Sequence, residues 1–322
     1  MSDVYASVDL GGTNIKCCMG TAEGKVLGDK SVPTDSHLGP QSVLDRMAAL
    51  VNDLSREVGR KPLAVGIGCP GLIDLKAGVT KFFPNFVTQW RDVPVRDILQ
   101  PKVACPVYLL NDVRMATLGE LTFGHGRTAN TMAFFALGTG IGGGIAVEGK
   151  LRLGPLGAAG ELGHICILPD GPLCGCGSRG CMETLASGPA IAAEGVRLLR
   201  SGLAPQLYEL TGGEASAVTP KTMAQAAQAG DPNVRAAIVR AAEYLGIGIS
   251  CVVTTLHPDL IVLGGGVAGI GPLLFDTVRQ TLRERVRMFP TDGVQIKPSQ
   301  LGDRAGALGG IALAMQHGLM EE

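Results

Sequence analysis

Three apolar segments of this chain each run into a cluster of glycines, and this pattern restricts the possible folds more than any other feature. The segments are VYASVDLGGT near the N-terminus, FFALGTGIGGG in the middle and DLIVLGGGV near the C-terminus. Short apolar runs that end in glycine are typical of buried strands followed by tight turns, where the backbone comes close to another group. The 47 glycines form no repeat, so they indicate special local backbone positions and not a flexible or collagen-like chain.

The order of apolar patterns along the chain predicts an α/β fold. The first part reads as β-β-β-α-β-α-β-α, with its last helix starting near Asp112. A second strand, glycine turn and strand follow, and then a loop-rich region from Leu153 to Glu183. Helical spacing predicts further helices over 188–202, 221–229, 232–255 and the tail RAGALGGIALAMQH. The similarity between the first two glycine hairpins predicts two related halves that face a cleft.

Charge and cysteine usage exclude several classes of protein. Lys and Arg number 28 against 29 Asp and Glu, which leaves no overall attraction for nucleic acid or for an anionic membrane. The N-terminal residues lack the pattern of a signal peptide, and the apolar stretch from Leu245 to Leu263 is interrupted by His257, Pro258 and Asp259. Nine cysteines, an odd number, favour a reduced compartment over a disulfide framework. We therefore expect a cytoplasmic protein without a membrane or nucleic-acid partner.

The first glycine hairpin has the composition of a phosphate-binding turn. Its two glycines allow backbone N–H groups to turn inward, and a threonine adds a hydroxyl donor. An aspartate at the strand end could hold Mg²⁺ through water, because hard cations prefer oxygen. No G-x-x-x-x-G-K-[ST] loop occurs, and an ordinary hairpin turn is the alternative reading. The predicted nucleotide contacts here are Asp9, Gly11, Gly12, Thr13 and Lys16.

The other two glycine turns strengthen this interpretation. Thr139 and Gly140 lie in the second turn, and Gly265 and Gly266 follow the third strand. Each turn alone is compatible with ordinary loop structure. Three such turns at three strand ends resemble the two phosphate loops and the adenosine loop of the actin-like ATPase fold.

The strand Val107–Leu110 delivers an Asn-Asp pair, Asn111 and Asp112, to its carboxyl end. Open α/β sheets place their ligands at this end of the strands. An aspartate there can accept the proton of an attacking hydroxyl as a general base. Asn and Asp are also favoured helix N-caps, and the two roles are compatible.

The most specific pattern is GELGH followed by CGCGSRGCME. Three cysteines within eight residues and one histidine ten residues earlier make a Cys₃His set, which is typical of a closed structural zinc site. The alternative is a group of reduced, metal-free thiols. The predicted ligands are His164, Cys174, Cys176 and Cys181.

Two glutamates flank this set. Glu161 lies three residues before His164, and Glu183 lies two residues after the last cysteine. Carboxylates can bind vicinal hydroxyls of a sugar, although a surface charge is the usual role of glutamate. Asn85, in the loop FPNF, offers a donor and an acceptor to a hydroxyl, and an Asx turn is an equal alternative there.

Together these motifs resemble the ROK family of sugar kinases and repressors over essentially the whole chain. The resemblance implies an α/β, actin-like (RNase H-like) two-lobed fold with a zinc-pinned loop. Its predicted lobes are residues 1–112 with 304–322, and 113–303. It also implies a homodimer that uses Mg-ATP.

The resemblance further implies roles for individual residues. Asp112 is then the general base, and zinc lies on the Cys₃His set. The expected sugar contacts are Gly71, Asn85, Asn111, Asp112, Glu161, His164 and Glu183.

The resemblance leaves the substrate open. Glucose, phosphorylated at its C6 hydroxyl, is the first expectation, and N-acetylglucosamine, N-acetylmannosamine, fructose or allose are alternatives. Val113 and Arg114 stand where many glucokinases of the family carry Ala and Asn. A sugar-responsive repressor needs an additional N-terminal DNA-binding domain, and the hairpin at Asp9 leaves no room for one. A non-catalytic sugar sensor is opposed by Asp112, while the donor, ATP or polyphosphate, stays open.

Overall fold

The computed structural model describes residues 2–83 and 90–319. The strands in this part of the chain are β1 (Val4–Leu10), β2 (Asn14–Thr21), β3 (Val26–Pro33), β4 (Val65–Cys69), β5 (Leu72–Asp74), β6 (Val79–Phe82), β7 (Arg91–Val93), β8 (Val107–Asn111), β9 (Met132–Leu137), β10 (Ile141–Val147), β11 (Lys150–Leu151), β12 (Leu260–Gly264) and β13 (Gln295–Pro298). The α-helices are α1 (Pro40–Val58), α2 (Val95–Val103), α3 (Asp112–Phe123), α4 (Glu183–Ala186), α5 (Gly188–Arg200), α6 (Pro205–Thr211), α7 (Pro220–Gln228), α8 (Pro232–Leu256), α9 (Pro272–Arg285) and α10 (Ala305–Met315).

Contacts divide the described chain into two compact units. The first unit takes its residues from Met1–Thr128, Ile145–Gly160 and Gln300–Glu322, and the second from Ala129–Gly144 and Glu161–Ser299. Helix α3 belongs to the first unit because it packs along α10. The predicted lobes instead assign α3 to the second half, and the division into functional lobes stays a prediction.

The first unit is built on a five-stranded sheet with the order β3-β2-β1-β4-β8. Strands β1 and β2 form an antiparallel hairpin, whereas β1, β4 and β8 run parallel. Helix α1 buries the apolar positions expected from its spacing, including Val43, Met47 and Leu54. The three parallel strands therefore end at one edge of the sheet, where α3 also begins.

A small antiparallel sheet, β5-β6-β7, follows the β4 strand. The apolar pattern of the sequence does not predict these strands. They contain three or four residues each, which is too short for a clear alternating pattern.

The second sheet has the order β11-β10-β9-β12-β13, with β9, β12 and β13 parallel. It repeats the strand order of the first sheet, which supports the expectation of two related halves. Strand β10 starts in the second unit, and its residues from Ile145 onward belong to the first. Helices α5, α7, α8 and α10 confirm the four helices predicted there by spacing.

Helix α8 is the one helix among the described residues that is long and apolar enough to cross a membrane, and 61% of its apolar window is buried inside the protein. The core helix of a folded domain meets the same length and composition criteria.

Candidate active site

Polar residues gather at the carboxyl edge of the first sheet. In the strand register, Asp9 on β1 pairs with Gly68 on β4, and Cys69 pairs with Asn111 on β8. Burial raises the pKa of the Cys69 thiol well above its usual value, and the nearby charges of Asp112 and Asp9 add to this rise. Both predicted carboxylates therefore lie close enough to the Cys69 thiol to affect its pKa.

Asp9 is a carboxylate whose ionised form is poorly solvated. Burial raises its pKa above the ordinary aspartate value, and the charge of Lys16 partly opposes the rise. Lys16 lies directly across the hairpin from Asp9 in the β1–β2 register. A bound cation would relieve the same penalty, because its positive charge stabilises the carboxylate in place of the water that burial excludes.

The first glycine hairpin is held by its own sheet. Gly11 donates its N–H to the carbonyl of Asn14 at 3.0 Å. Thr34, just beyond β3, donates its hydroxyl to the Gly11 carbonyl at 2.7 Å and its N–H to the Thr13 carbonyl at 2.8 Å. Gly12 and Thr13 are exposed, and an added Cβ on Gly12 would meet nothing within 4 Å. Hydrogen bonds from Thr34 thus hold one side of the turn, whereas Gly12 and Thr13 on the other side are exposed.

Asn111 confirms the expected helix cap. Its side-chain oxygen accepts the N–H groups of Val113 at 3.1 Å and Arg114 at 3.3 Å at the start of α3. Its amide nitrogen donates to the carbonyl of Gly71 at 3.3 Å, which connects two of the predicted sugar contacts. Asp112 is half-buried at the first position of α3, and its carboxylate accepts the Val113 N–H at 2.8 Å.

The second glycine hairpin is held by residues from outside its sheet. The carboxylate of Glu183 accepts the Ile141 N–H at 2.9 Å, and a Cβ on Gly140 would lie 2.3 Å from the same oxygen. Gly188, at the start of α5, donates its N–H to the Gly138 carbonyl at 2.9 Å. A side chain at position 140 would therefore displace the Glu183 carboxylate from its contact with the hairpin.

The third glycine turn packs directly on the second. Gly265 has a φ of 84°, and a Cβ there would lie 2.4 Å from the carbonyl oxygen of Leu137. Gly265, Gly266 and Thr139 are exposed. The second unit thus brings together the four predicted nucleotide contacts, Thr139, Gly140, Gly265 and Gly266.

The four predicted metal ligands lie together. One ligand atom from each of His164, Cys174, Cys176 and Cys181 falls within 4.8 Å of the others. The Cys176 and Cys181 sulfurs are 3.7 Å apart, and the Cys174 sulfur is 3.6 Å from His164 Nδ1. Tetrahedral zinc with ordinary bond lengths separates two sulfurs by about 3.8 Å and sulfur from nitrogen by about 3.6 Å. The arrangement fits zinc.

The two nitrogens of His164 face different groups. Nδ1 faces the cysteine cluster, whereas Nε2 lies 4.0 Å from a carboxylate oxygen of Glu161. The Cys174 thiol also lies 3.8 Å from the second carboxylate oxygen of Glu183. One side of the cluster therefore adjoins Glu161, and the other connects through Glu183 to the second glycine hairpin.

Some residues at the site escape prediction from the sequence, and one predicted residue cannot be placed. Thr34, Gly188 and the role of Arg114 were missed, because each acts through a hydrogen bond to a residue distant in the chain. For Thr34, the only local signal is that a threonine stands directly after strand β3. Asn85 lies outside the described residues.

The comparisons with known proteins agree with this fold. The profile of the ROK family matches residues 5–317, and the chain belongs to this family. The predicted resemblance and the actin-like α/β fold class are thereby confirmed.

Three relatives illustrate the range of the family. The chain is 35% identical to a glucokinase from Halalkalibacterium halodurans over 319 residues, which cover 97% of this chain and 95% of that protein. It is similar to the crystal structure of a ROK family glucokinase from Streptomyces griseus in complex with glucose and AMPPNP. The TM-score is 0.82 at 34% identity, covering 97% of this chain and 99% of that one. It is also 30% identical to a xylose repressor from Caldicellulosiruptor bescii, covering 96% of this chain and 77% of the repressor.

Proposed function

We propose that this chain is an ATP-dependent sugar kinase that transfers the γ-phosphoryl group of Mg-ATP to the C6 hydroxyl of glucose. The observation that carries the proposal is the placement of Asn111 and Asp112 on the same sheet edge as Asp9 and the first glycine hairpin. The similarity to glucokinases, one of them bound to glucose and AMPPNP, supports the substrate and the donor.

Asp112 acts as the general base. Its carboxylate accepts the proton of the C6 hydroxyl as the hydroxyl oxygen forms a bond to the γ-phosphorus and the bond to the ADP oxygen breaks. The products are glucose 6-phosphate and ADP, and the proton then passes from Asp112 to solvent. Asn111 assists as a donor, because its side-chain oxygen is already occupied by N–H groups of α3.

The glycine hairpins hold the nucleotide. The phosphates are bound by Gly11, Gly12, Thr13, Lys16, Thr139 and Gly140, while Gly265 and Gly266 adjoin the adenosine. Asp9 is the residue that would hold Mg²⁺, and the ion, when bound, neutralises charge on the phosphate oxygens. Catalysis then rests mainly on positioning and charge neutralisation.

The loop-rich region from Leu153 to Glu183 contains the four predicted metal ligands, and we call it the metal loop. It supports the sugar pocket. His164, Cys174, Cys176 and Cys181 would hold a structural Zn²⁺, which stabilises a loop that has almost no regular secondary structure of its own. In this arrangement Glu161, His164 Nε2 and Glu183, with Gly71 and Asn85, contact sugar hydroxyls. Glu183 keeps acceptor capacity for this role, since an ionised carboxylate has about four lone-pair sites.

The proposal has alternatives in the substrate and in the class of function. N-acetylhexosamines or fructose are alternative substrates for the same mechanism. The similarity to a xylose repressor favours sugar-responsive repression as a second function class. We also propose, from the family resemblance, a cytoplasmic homodimer.

A coupled ADP-release assay over a hexose panel tests the proposal. The panel contains glucose, mannose, fructose, allose, N-acetylglucosamine and N-acetylmannosamine, each with Mg-ATP. We expect the highest kcat/KM with glucose. A leading N-acetyl sugar would correct the substrate and keep the mechanism. Absence of turnover with every sugar would contradict the kinase, and a DNA mobility shift would then test repression.

A further inference from the structure

Arg114 is a buried cation in direct contact with the proposed sugar site. Only 1% of its surface is exposed, although arginine is rarely buried to this extent. Its guanidinium donates to the side-chain oxygen of Asn111, and to the carbonyls of Ala158 and Ala159, at 3.0 Å each. The three bonds use the planar fork of the guanidinium, which lysine does not possess.

The first consequence concerns the orientation of Asn111. Its side-chain oxygen receives three donors, the N–H groups of Val113 and Arg114 and the Arg114 guanidinium. Because three donors face this end of the amide, this end is the oxygen and the other end is the nitrogen. The amide nitrogen then points toward Gly71 and has a second hydrogen for a ligand. A hydroxyl that donates to Asp112 can accept this hydrogen.

The second consequence concerns the segment before Glu161. Residues 152–161 contain no helix or strand beyond a single 3₁₀ turn, and Gly154, Gly157 and Gly160 all have positive φ. Such a segment has little intrinsic order, because glycine permits many backbone conformations. The bonds from Arg114 to the Ala158 and Ala159 carbonyls connect this segment to the start of α3. In the chain, the two alanines come immediately before Gly160 and Glu161.

Burying a guanidinium is unfavourable unless its hydrogen bonds are satisfied, so packing alone does not account for arginine here. We infer that Arg114 is a positioning residue for the hexose, which orients the Asn111 amide and fixes the approach of the chain to Glu161. The inference rests on the proposed function.

The experiment compares Arg114→Met and Arg114→Lys with a matched control. Arg96 also donates to backbone carbonyls of the first unit, those of Leu75, Lys76 and Val107, and Val107 begins β8 at the end opposite to Asn111. Losing bonds to a charged donor changes an equilibrium by about 10- to 100-fold. We therefore expect Arg114→Met to raise the KM for glucose by about 30-fold and the KM for ATP by less than about twofold. The glucose KM of Arg114→Lys should lie between those of the wild type and Arg114→Met. Arg96→Met should lower Tm without changing either KM.

A double-mutant cycle with Asn111→Ala separates positioning from general stability. If Arg114 acts partly through Asn111, its replacement should raise the KM less in the Asn111→Ala background than in the wild type. Should that variant fail to fold, Arg114→Lys takes its place in the same cycle.

The outcomes separate the two proposals. If the wild type phosphorylates glucose while the Arg114 variants keep the wild-type KM, or lose only Tm, the positioning role is overturned and the kinase stands. Full additivity in the cycle overturns the route through Asn111. If the wild type binds glucose calorimetrically without turnover, the kinase proposal fails, and the glucose Kd of the same variants decides the role of Arg114.

Discussion

The two glycine hairpins occupy equivalent positions in two sheets of the same strand order, yet different contacts hold them. Gly11 and Thr13 are held by Thr34, a residue at the end of a neighbouring strand. The second hairpin is held by Glu183, the last residue of the metal loop, and by Gly188, which follows that loop in sequence. A repeated topology therefore does not imply a repeated source of stability. The first hairpin depends on its sheet, and the second on a loop that we propose zinc stabilises.

The largest expected effect tests whether the chemistry depends on the first sheet. Asp112→Asn removes the proposed base while keeping size and helix position. General-base catalysis contributes about 10²- to 10⁴-fold, so we expect kcat to fall by about 10³-fold. The coupled ADP assay measures this, with Tm and the calorimetric glucose Kd as controls. A variant with kcat within a few-fold of the wild type would remove Asp112 from the mechanism.

Loss of the metal should affect the second hairpin selectively. Cys181→Ser removes a buried ligand, and we expect about one zinc per chain in the wild type and much less in the variant. Glu183 would then be released, so kcat/KM should fall by about 10-fold or more. Metal analysis, Tm and kinetics provide the readouts.

Cys251→Ser, at an exposed cysteine on α8, is the matched control and should keep metal and activity. A zinc-free Cys181→Ser with wild-type Tm and activity would show that the second hairpin is independent of the loop.

A pair of glycine substitutions compares the two hairpins directly. A Cβ at position 140 would lie 2.3 Å from the Glu183 carboxylate, whereas at position 12 it would meet nothing within 4 Å. Gly140→Ala should push the carboxylate away from the Ile141 N–H, and losing a hydrogen bond to a charged group costs about 1.5–3 kcal/mol. Gly140→Ala should therefore lower Tm by about 2–6 °C, and Gly12→Ala should not. Both could weaken ATP binding, so Tm of the ligand-free protein is the discriminating measurement. Equal Tm values would contradict the proposed role of Glu183 in holding the second hairpin.

The smallest expected change in Tm concerns Asp9 and pH. Because burial raises its folded pKa, the contribution of Asp9 to stability is complete below the ordinary aspartate pKa and is lost as pH rises through the folded value. Asp9→Asn should therefore raise Tm by about 2 °C at pH 8 without Mg²⁺, and the gain should vanish in acid.

The same variant should lose Mg-ATP turnover, a stability–activity trade-off. Thermal melts between pH 3.5 and 8 measure the difference. A gain that grows toward acid would reverse the assigned direction of the pKa.

Local sequence patterns determined the family, the α/β class and the Cys₃His set. The four proposed ligands fall within 18 residues of the chain, and Asn111 caps α3 in the next few residues, so short-range geometry is sufficient for both. Apolar spacing likewise fixed α1 and α8, because helix periodicity appears within a single segment.

Only the tertiary structure decided which residues hold these parts in place. The bonds from Glu183 to Ile141, from Thr34 to Gly11, and from Arg114 to Ala158 connect residues 42, 23 and 44 positions apart. No periodicity or turn signal records such pairs, because each depends on where two separate elements meet in the packed chain. The sequence therefore determined the chemical groups at the site, and the packing decided their orientation.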